Sequence, residues 1–84
     1  MSVHGWILVQ TDVGRARAVC DALAEMKAEG AKVLVADTVT GPYDVIARVE
    51  ADDYEVLTNS VEAAVKDTEG VDHIVTCVTV SHQA

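Results

Sequence analysis

The chain of 84 residues carries 14 acidic and 6 basic side chains, for a net charge of −8, and half of its residues are hydrophobic. This length predicts a single domain over residues 1–84 with a small core, and the charge disfavours direct contact with nucleic acid or anionic lipid. No apolar run approaches the ~20 residues that a bilayer requires, and the first residues lack the pattern of a signal peptide, so we expect a cytoplasmic protein.

A strand and a helix open the predicted fold. Residues 3–10 alternate between two faces, with Val3, Gly5, Ile7 and Val9 on one and His4, Trp6, Leu8 and Gln10 on the other. Because both faces contain apolar groups, we expect both to be covered. A helix is predicted to follow Asp12, its expected N-cap, and to end at Gly30. Its buried stripe is predicted to contain Ala16, Val19, Cys20, Leu23 and Met26.

The second half of the chain resembles the first at an offset of 40 residues (69 − 29). Glu29-Gly30 returns as Glu69-Gly70, and Asp12 returns as Asp52. This repeat predicts two βαβ units in the order βαββαβ.

A second helix is predicted to start at Asp52, with Glu55 three residues later in an arrangement similar to a capping box. Its buried stripe is predicted to contain Leu57, Val61, Ala64 and Val65. We expect Gly70 to close this helix as the C′ residue and a last strand to run over residues 70–80.

The turn between the two central strands carries more polar groups than a simple reversal needs. Gly41 lets a ligand approach the backbone, Pro42 makes the turn rigid, Tyr43 offers a ring with a hydroxyl, and Asp44 supplies a negative charge. Backbone N–H groups suit a carboxylate, and an aspartate suits an ammonium group, so these residues fit a zwitterion. The alternative is that Gly41 and Pro42 only make the turn and that Asp44 only caps it.

The run Val39-Thr40-Gly41-Pro42-Tyr43-Asp44 resembles the hairpin motif of the effector-binding domain of Lrp/AsnC regulators, and the strands and helix after it extend the similarity over nearly the whole chain. The resemblance implies an α+β, ferredoxin-like βαββαβ fold, in which a four-stranded antiparallel sheet carries two helices on one face and pairs into a dimeric α+β barrel. It also implies an amino-acid effector site at a subunit interface, formed by Gly41, Pro42, Tyr43 and Asp44, with Thr76 of the last strand as a further contact.

The sequence departs from the family pattern in two ways. No helix-turn-helix precedes Val3, so we expect a stand-alone module that does not contact DNA itself. Such a module would form a homodimer and a larger ring, and would join a full-length regulator of the family. The second departure is that Gly30 lies a residue or two farther from the hairpin than the pattern leads us to expect.

Covering the helix-free side of the sheet is a reason of its own for a dimer. Right-handed crossovers place both helices on one side, and Trp6, Leu8 and Ile46 then form an apolar patch on the other. A patch of this kind needs a cover, and a second subunit is the simplest one.

Other reactive residues give little support for catalysis. His4, His73 and His82 have no second ligand at metal-binding spacing, so we expect no metal and no cofactor. His4 and His73 would approach each other only if the first and last strands are neighbours. Cys20 and Cys77 are predicted to be small buried hydrophobes, and the acidic run from Glu50 to Glu55 suits a helix N-terminus.

Two other functions share this element order. One is a small dimeric α+β barrel enzyme similar to antibiotic-biosynthesis monooxygenases, in which Trp6 and His73 would line the cavity; the aromatic content of 4% disfavours it. The other is an ACT-like regulatory domain, whose sheets lie side by side. We expect a binding module and not an enzyme.

Overall fold

The computed structural model describes residues 2–80. The elements in chain order are β1 (Val3–Thr11), α1 (Ala16–Ala24), β2 (Lys27–Ala28), β3 (Ala31–Thr38), β4 (Val45–Ala51), a π-helical segment (Val56–Val61), α2 (Glu62–Lys66) and β5 (Val71–Val78). The strands form one antiparallel sheet in the order β2-β3-β4-β1-β5. Within these residues no helix has both the length and the apolar character to cross a bilayer.

The predicted ferredoxin-like arrangement is confirmed, with one strand more than the expected four. The added strand is β2, which pairs Lys27 with Lys32 and Ala28 with Ala31. Glu29 and Gly30 therefore form a two-residue turn, and Gly30 has a φ of 80° that suits glycine. The prediction that α1 ends at Gly30 is wrong, because pairing with β3 satisfies the backbone groups that a longer helix would have bonded internally.

The boundaries of both helical stretches also differ from the predicted ones. Asp12 is not the N-cap of α1, because Arg15 takes that position. Asp53, not Asp52, caps the second helical stretch, with its Oδ1 accepting from the Val56 N–H at 2.8 Å. Gly70 lies in the turn before β5, three residues after the C-cap residue Asp67, and is not the C′ residue.

The internal repeat is visible in the backbone. The Asp12 N–H donates to the Gly70 oxygen at 2.8 Å, and the Asp52 N–H donates to the Gly30 oxygen at 2.7 Å. Both donor and acceptor positions are related by the offset of 40 residues (52 − 12 and 70 − 30), with the acceptor in the other half each time. In each half of the chain, the residue after the first strand therefore forms a backbone hydrogen bond with the turn of the other half.

The core lies between the sheet and the helices. Its buried members are Ile7, Val9, Val19, Leu23, Val45, Ala47, Val49, Ala51, Leu57, Val61 and Val65. Leu57, Val61 and Val65 are spaced by four residues, which places them on one buried side of the helical stretch. Gly5 lies under this segment, and a Cβ there would come within 2.6 Å of Leu57 Cδ2.

The opposite side of the sheet is the open face, on which no helix of residues 2–80 packs. The residues of the open face are His4, Trp6, Leu8 and Gln10 of β1, Lys32, Val35 and Asp37 of β3, Ile46, Arg48 and Glu50 of β4, and His73, Val75 and Cys77 of β5. Trp6 is 40% exposed and Val35 is 43% exposed in the single chain. The predicted apolar patch on the helix-free side is therefore present.

Candidate functional site

The polar turn predicted from the sequence connects β3 to β4. The Val39 N–H donates to the backbone carbonyl oxygen of Asp44 at 2.9 Å, and the Asp44 N–H donates to the backbone carbonyl oxygen of Val9 at 2.9 Å. The turn is thus held both across its own base and against the end of β1. We call residues 39–44 the β3–β4 loop.

The side chain of Asp44 fixes this loop to β1. Its Oδ2 accepts from the Thr11 N–H at 2.8 Å and from the Thr11 hydroxyl at 3.3 Å. A second bond lies beside it, since Gln10 Nε2 donates to the Pro42 oxygen at 3.0 Å. The other carboxylate oxygen, Asp44 Oδ1, accepts no hydrogen bond from any donor among residues 2–80. One carboxylate oxygen therefore holds the loop against β1, and the other accepts no hydrogen bond from the described residues.

The remaining groups of the loop are accessible. Gly41 and Pro42 are exposed, and Tyr43 is half-buried. Gly41 has a φ of 140°, which other residues rarely adopt, and no atom lies within 4 Å of the place where a Cβ would stand. A small guest can therefore approach the backbone here. Gly41, Pro42, Tyr43 and Asp44 all lie in this loop, and their role in effector binding stays a prediction.

Thr76 lies apart from that loop. It pairs with Ile7 on the helix-covered side of β5, and its hydroxyl donates to Glu62 Oε2 of α2 at 2.8 Å. Lys66 lies 3.5 Å from the other oxygen of the same carboxylate. The effector contact that the family resemblance implies for Thr76 stays a prediction, while the observed bond joins α2 to β5.

The open face holds a second group of polar side chains. The Arg48 guanidinium lies 5.5 Å from the centre of the Trp6 ring, within cation–π range. His4 Nε2 lies 3.3 Å from Glu50 Oε2. Arg48 Nε and His4 Nδ1 are shielded from solvent but have no hydrogen-bond partner among the described residues. Such atoms carry a desolvation cost that a further acceptor or donor would remove.

His4 and His73 do not approach each other. β1 and β5 are neighbours, but the antiparallel register sets His73 opposite Gln10, six residues along β1 from His4. At about 3.4 Å per residue the two rings lie roughly 20 Å apart. The possible pairing of these histidines is therefore wrong, and His82 lies outside the described residues. Among residues 2–80 no cluster of three or more metal-ligating side chains is present.

The two cysteines have different surroundings. Cys20 is partly buried on α1 and packs against the core. Burial raises the pKa of its thiol, and the carboxylates of Asp21 and Asp37 raise it further. Cys77 is exposed on the open face, so the prediction of a buried thiol is wrong there for the single chain. The reason is that β5 alternates between a covered and an uncovered side of the sheet.

Two hollows lie away from the loop. One of about 250 Å³ is bordered by Ser2, Gly30, Ala31, Lys32, Glu50, Ala51 and Asp52. Another of about 280 Å³ is bordered by Lys66, Val71, Asp72, His73 and Ile74. Neither of these two hollows includes a residue of the β3–β4 loop.

A sequence model of the Lrp/AsnC ligand binding domain matches residues 6–82. The chain belongs to this family. The match runs from within β1 to beyond the end of β5 and includes the loop, which supports a regulatory, effector-binding module. Comparison with curated protein sequences gave no match.

Solved structures show the same fold in this Lrp/AsnC domain's relatives. TTHA0845 from Thermus thermophilus has a TM-score of 0.83 and 28% identity, with 98% of each chain covered. The hypothetical protein PHS023 from Pyrococcus horikoshii has a TM-score of 0.78 and 26% identity, covering 95% of this chain and 92% of that one. AsnC of E. coli has a TM-score of 0.82 and 13% identity, which shows the fold alone; 98% of this chain aligns with 53% of AsnC.

Proposed function

We propose that this Lrp/AsnC domain is an amino-acid-sensing module that binds its effector at the β3–β4 loop, where a neighbouring subunit completes the pocket. The observation that carries the proposal is the hydrogen bonding of the two carboxylate oxygens of Asp44. One of its oxygens is held by Thr11, and the other has no donor among residues 2–80. A carboxylate that is oriented by one oxygen and available through the other is well placed to receive an ammonium group.

The rest of the loop supplies what a zwitterion needs besides that charge. Open space next to Gly41 allows a ligand carboxylate to reach backbone N–H groups. Tyr43 adds a half-buried ring and a hydroxyl next to Asp44. A loop held by Gln10 and Thr11 on one side loses less freedom when the ligand binds, which favours affinity.

A second copy of the chain is the proposed cover of the open face. At ~25 cal/mol per Å², covering even a few hundred Å² of apolar surface around Trp6 and Val35 is worth several kcal/mol. Two facing sheets would form the dimeric α+β barrel that the family resemblance implies.

Regulation would follow from assembly. If an effector contacts loops of two dimers, it binds the larger ring and not the separate dimers, so it stabilises the ring by mass action. The reverse also holds, because ring formation then raises effector affinity by the same factor. A full-length regulator of the family that joins the ring would sense the same occupancy. Binding alone suffices for this role, and no catalytic step is required.

Calorimetric titration with each of the twenty amino acids tests the proposal. Asp44→Asn is the sharpest variant, because an amide oxygen can still accept from the Thr11 N–H while the charge is lost. Thr11→Val is the matched control, since it keeps the charge and the backbone donor and removes only the hydroxyl. We expect one chemical group of amino acids to bind the wild type, Asp44→Asn to lose about tenfold or more in affinity, and Thr11→Val to lose little. Wild-type titrations that show no heat with any amino acid would contradict the proposal.

A further inference from the structure

The histidine of the open face has an arrangement that the effector site does not use. His4 and Glu50 are direct cross-strand partners on β1 and β4, with Nε2 and Oε2 3.3 Å apart. Both side chains are about one-third exposed, at 35% and 34%. In the single chain, water therefore still reaches both side chains.

The charged neighbours of this pair are few. On β4, Arg48 lies one pleat away and is stacked over Trp6. On β3, Lys32 is the cross-strand partner of Glu50 and is exposed. Just after β5, the contact with His4 is a backbone one, in which the Thr79 N–H donates to the backbone oxygen of His4 at 2.8 Å. Glu50 is thus the one carboxylate among residues 2–80 within 4 Å of the His4 ring.

Burying the open face under a second copy changes the balance between the neutral and the protonated form of His4. An unpaired carboxylate costs several kcal/mol when it is taken out of water, whereas a pair of opposite charges costs much less. An imidazole changes its charge between about pH 5 and pH 8, so His4 can supply the missing positive charge in that range.

We propose that face-to-face dimerisation of this domain is coupled to proton uptake by His4, so that the dimer tightens as the pH falls from about 8 to 5.5. The inference rests on the dimer of the proposed function. The sign follows from linkage: if the dimer binds more protons than two separate chains, a lower pH favours the dimer. Full uptake of one proton per chain changes the dissociation constant by at most about a hundredfold per pH unit.

Sedimentation equilibrium at pH 5.5, 6.5 and 7.5 measures this dependence. The net charge of −8 by itself favours association in acid, so the wild type must be compared with variants. His4→Gln keeps a donor towards Glu50 but cannot take up the proton. His73→Gln is the matched control, because it removes a histidine at the other end of the same face. We expect wild type and His73→Gln to dimerise at least about tenfold more tightly at pH 5.5 than at pH 7.5, and His4→Gln to show a clearly smaller change.

The outcomes separate the inference from the proposal on which it rests. A dimer whose pH dependence is the same in wild type and His4→Gln overturns the coupling but leaves the dimer in place. A wild-type chain that stays monomeric at every pH overturns both. NMR titration of the His4 ring gives an independent check, since the coupling predicts that its midpoint lies at higher pH in concentrated samples than in dilute ones, and equal midpoints would contradict it.

Discussion

Replacing Gly5 with alanine puts a methyl group where β1 and the π-helical segment already touch. The added Cβ would lie 2.6 Å from Leu57 Cδ2 and 2.9 Å from the Cys77 oxygen. Leu57 is fully buried, and the second contact is a backbone atom, so neither neighbour can yield without moving the core or β5. We expect Gly5→Ala to lower the free energy of unfolding by about 1–3 kcal/mol, as overpacked cores do.

Urea denaturation followed by circular dichroism at a fixed protein concentration measures this loss; the concentration is fixed because assembly adds to apparent stability. In thermal scans the same loss lowers the Tm by about 4–8 °C per kcal/mol. Val13→Ala is the control, since Val13 is fully exposed and should change stability by less than about 0.5 kcal/mol.

A double-mutant cycle identifies the contact responsible. Leu57→Val removes both Cδ atoms and should cost about 1–2 kcal/mol alone. It should cost less in the Gly5→Ala background, because it also removes the closest overlap, so we expect a coupling of about 0.5 kcal/mol or more. A Gly5→Ala variant as stable as wild type, or strictly additive costs in the cycle, would refute the close packing described for Gly5 and Leu57.

Four further predictions concern the site and the thiols. Asp44→Ala should destabilise the chain by about 1–3 kcal/mol because it leaves the Thr11 N–H unpaired, whereas Asp44→Asn should cost less; equal urea midpoints for the two variants would show that the side chain does not hold the loop. Thr76→Val should lower stability by about 0.5–1.5 kcal/mol and leave effector affinity unchanged in calorimetry, and a loss of affinity would instead place its hydroxyl at the ligand. With a thiol reagent at pH 8, Cys20 should react slowly, because its raised pKa leaves less thiolate, and faster as the pH rises. Cys77 should react quickly in dilute samples and slowly once the open face is covered, whereas a rate independent of protein concentration would show that this face stays free.

Local periodicity was sufficient for most of the fold. Alternation placed Ile7 and Val9 on the covered side of β1, and helical spacing placed Val19 and Leu23 in the core. The extra strand β2 could not be found this way, because its two residues are too short to show a period and depend on pairing with β3. Propensity alone also left the helix ends uncertain by a few residues.

The site was predictable in composition but not in geometry. The loop residues Gly41 to Asp44 stand next to one another in the sequence, so their grouping followed directly. The bonds from Thr11 and Gln10 join residues 33 and 32 positions apart, and such bonds depend on strand register, which the sequence pattern left open. For the same reason the sequence did not predict that Thr76 faces α2. Both sides of β5 carry apolar groups, so its alternation does not say which side the helix covers.

Sedimentation velocity with and without a mixture of the twenty amino acids tests the central claim most directly, which is that the β3–β4 loop binds an effector where subunits meet. We expect a dimer or a larger multiple of the 8.9 kDa chain without ligand, and a shift to higher mass when the mixture is added. The shift should be lost in Asp44→Asn. A chain that sediments as the same species in both conditions, and as a monomer in particular, would contradict the claim.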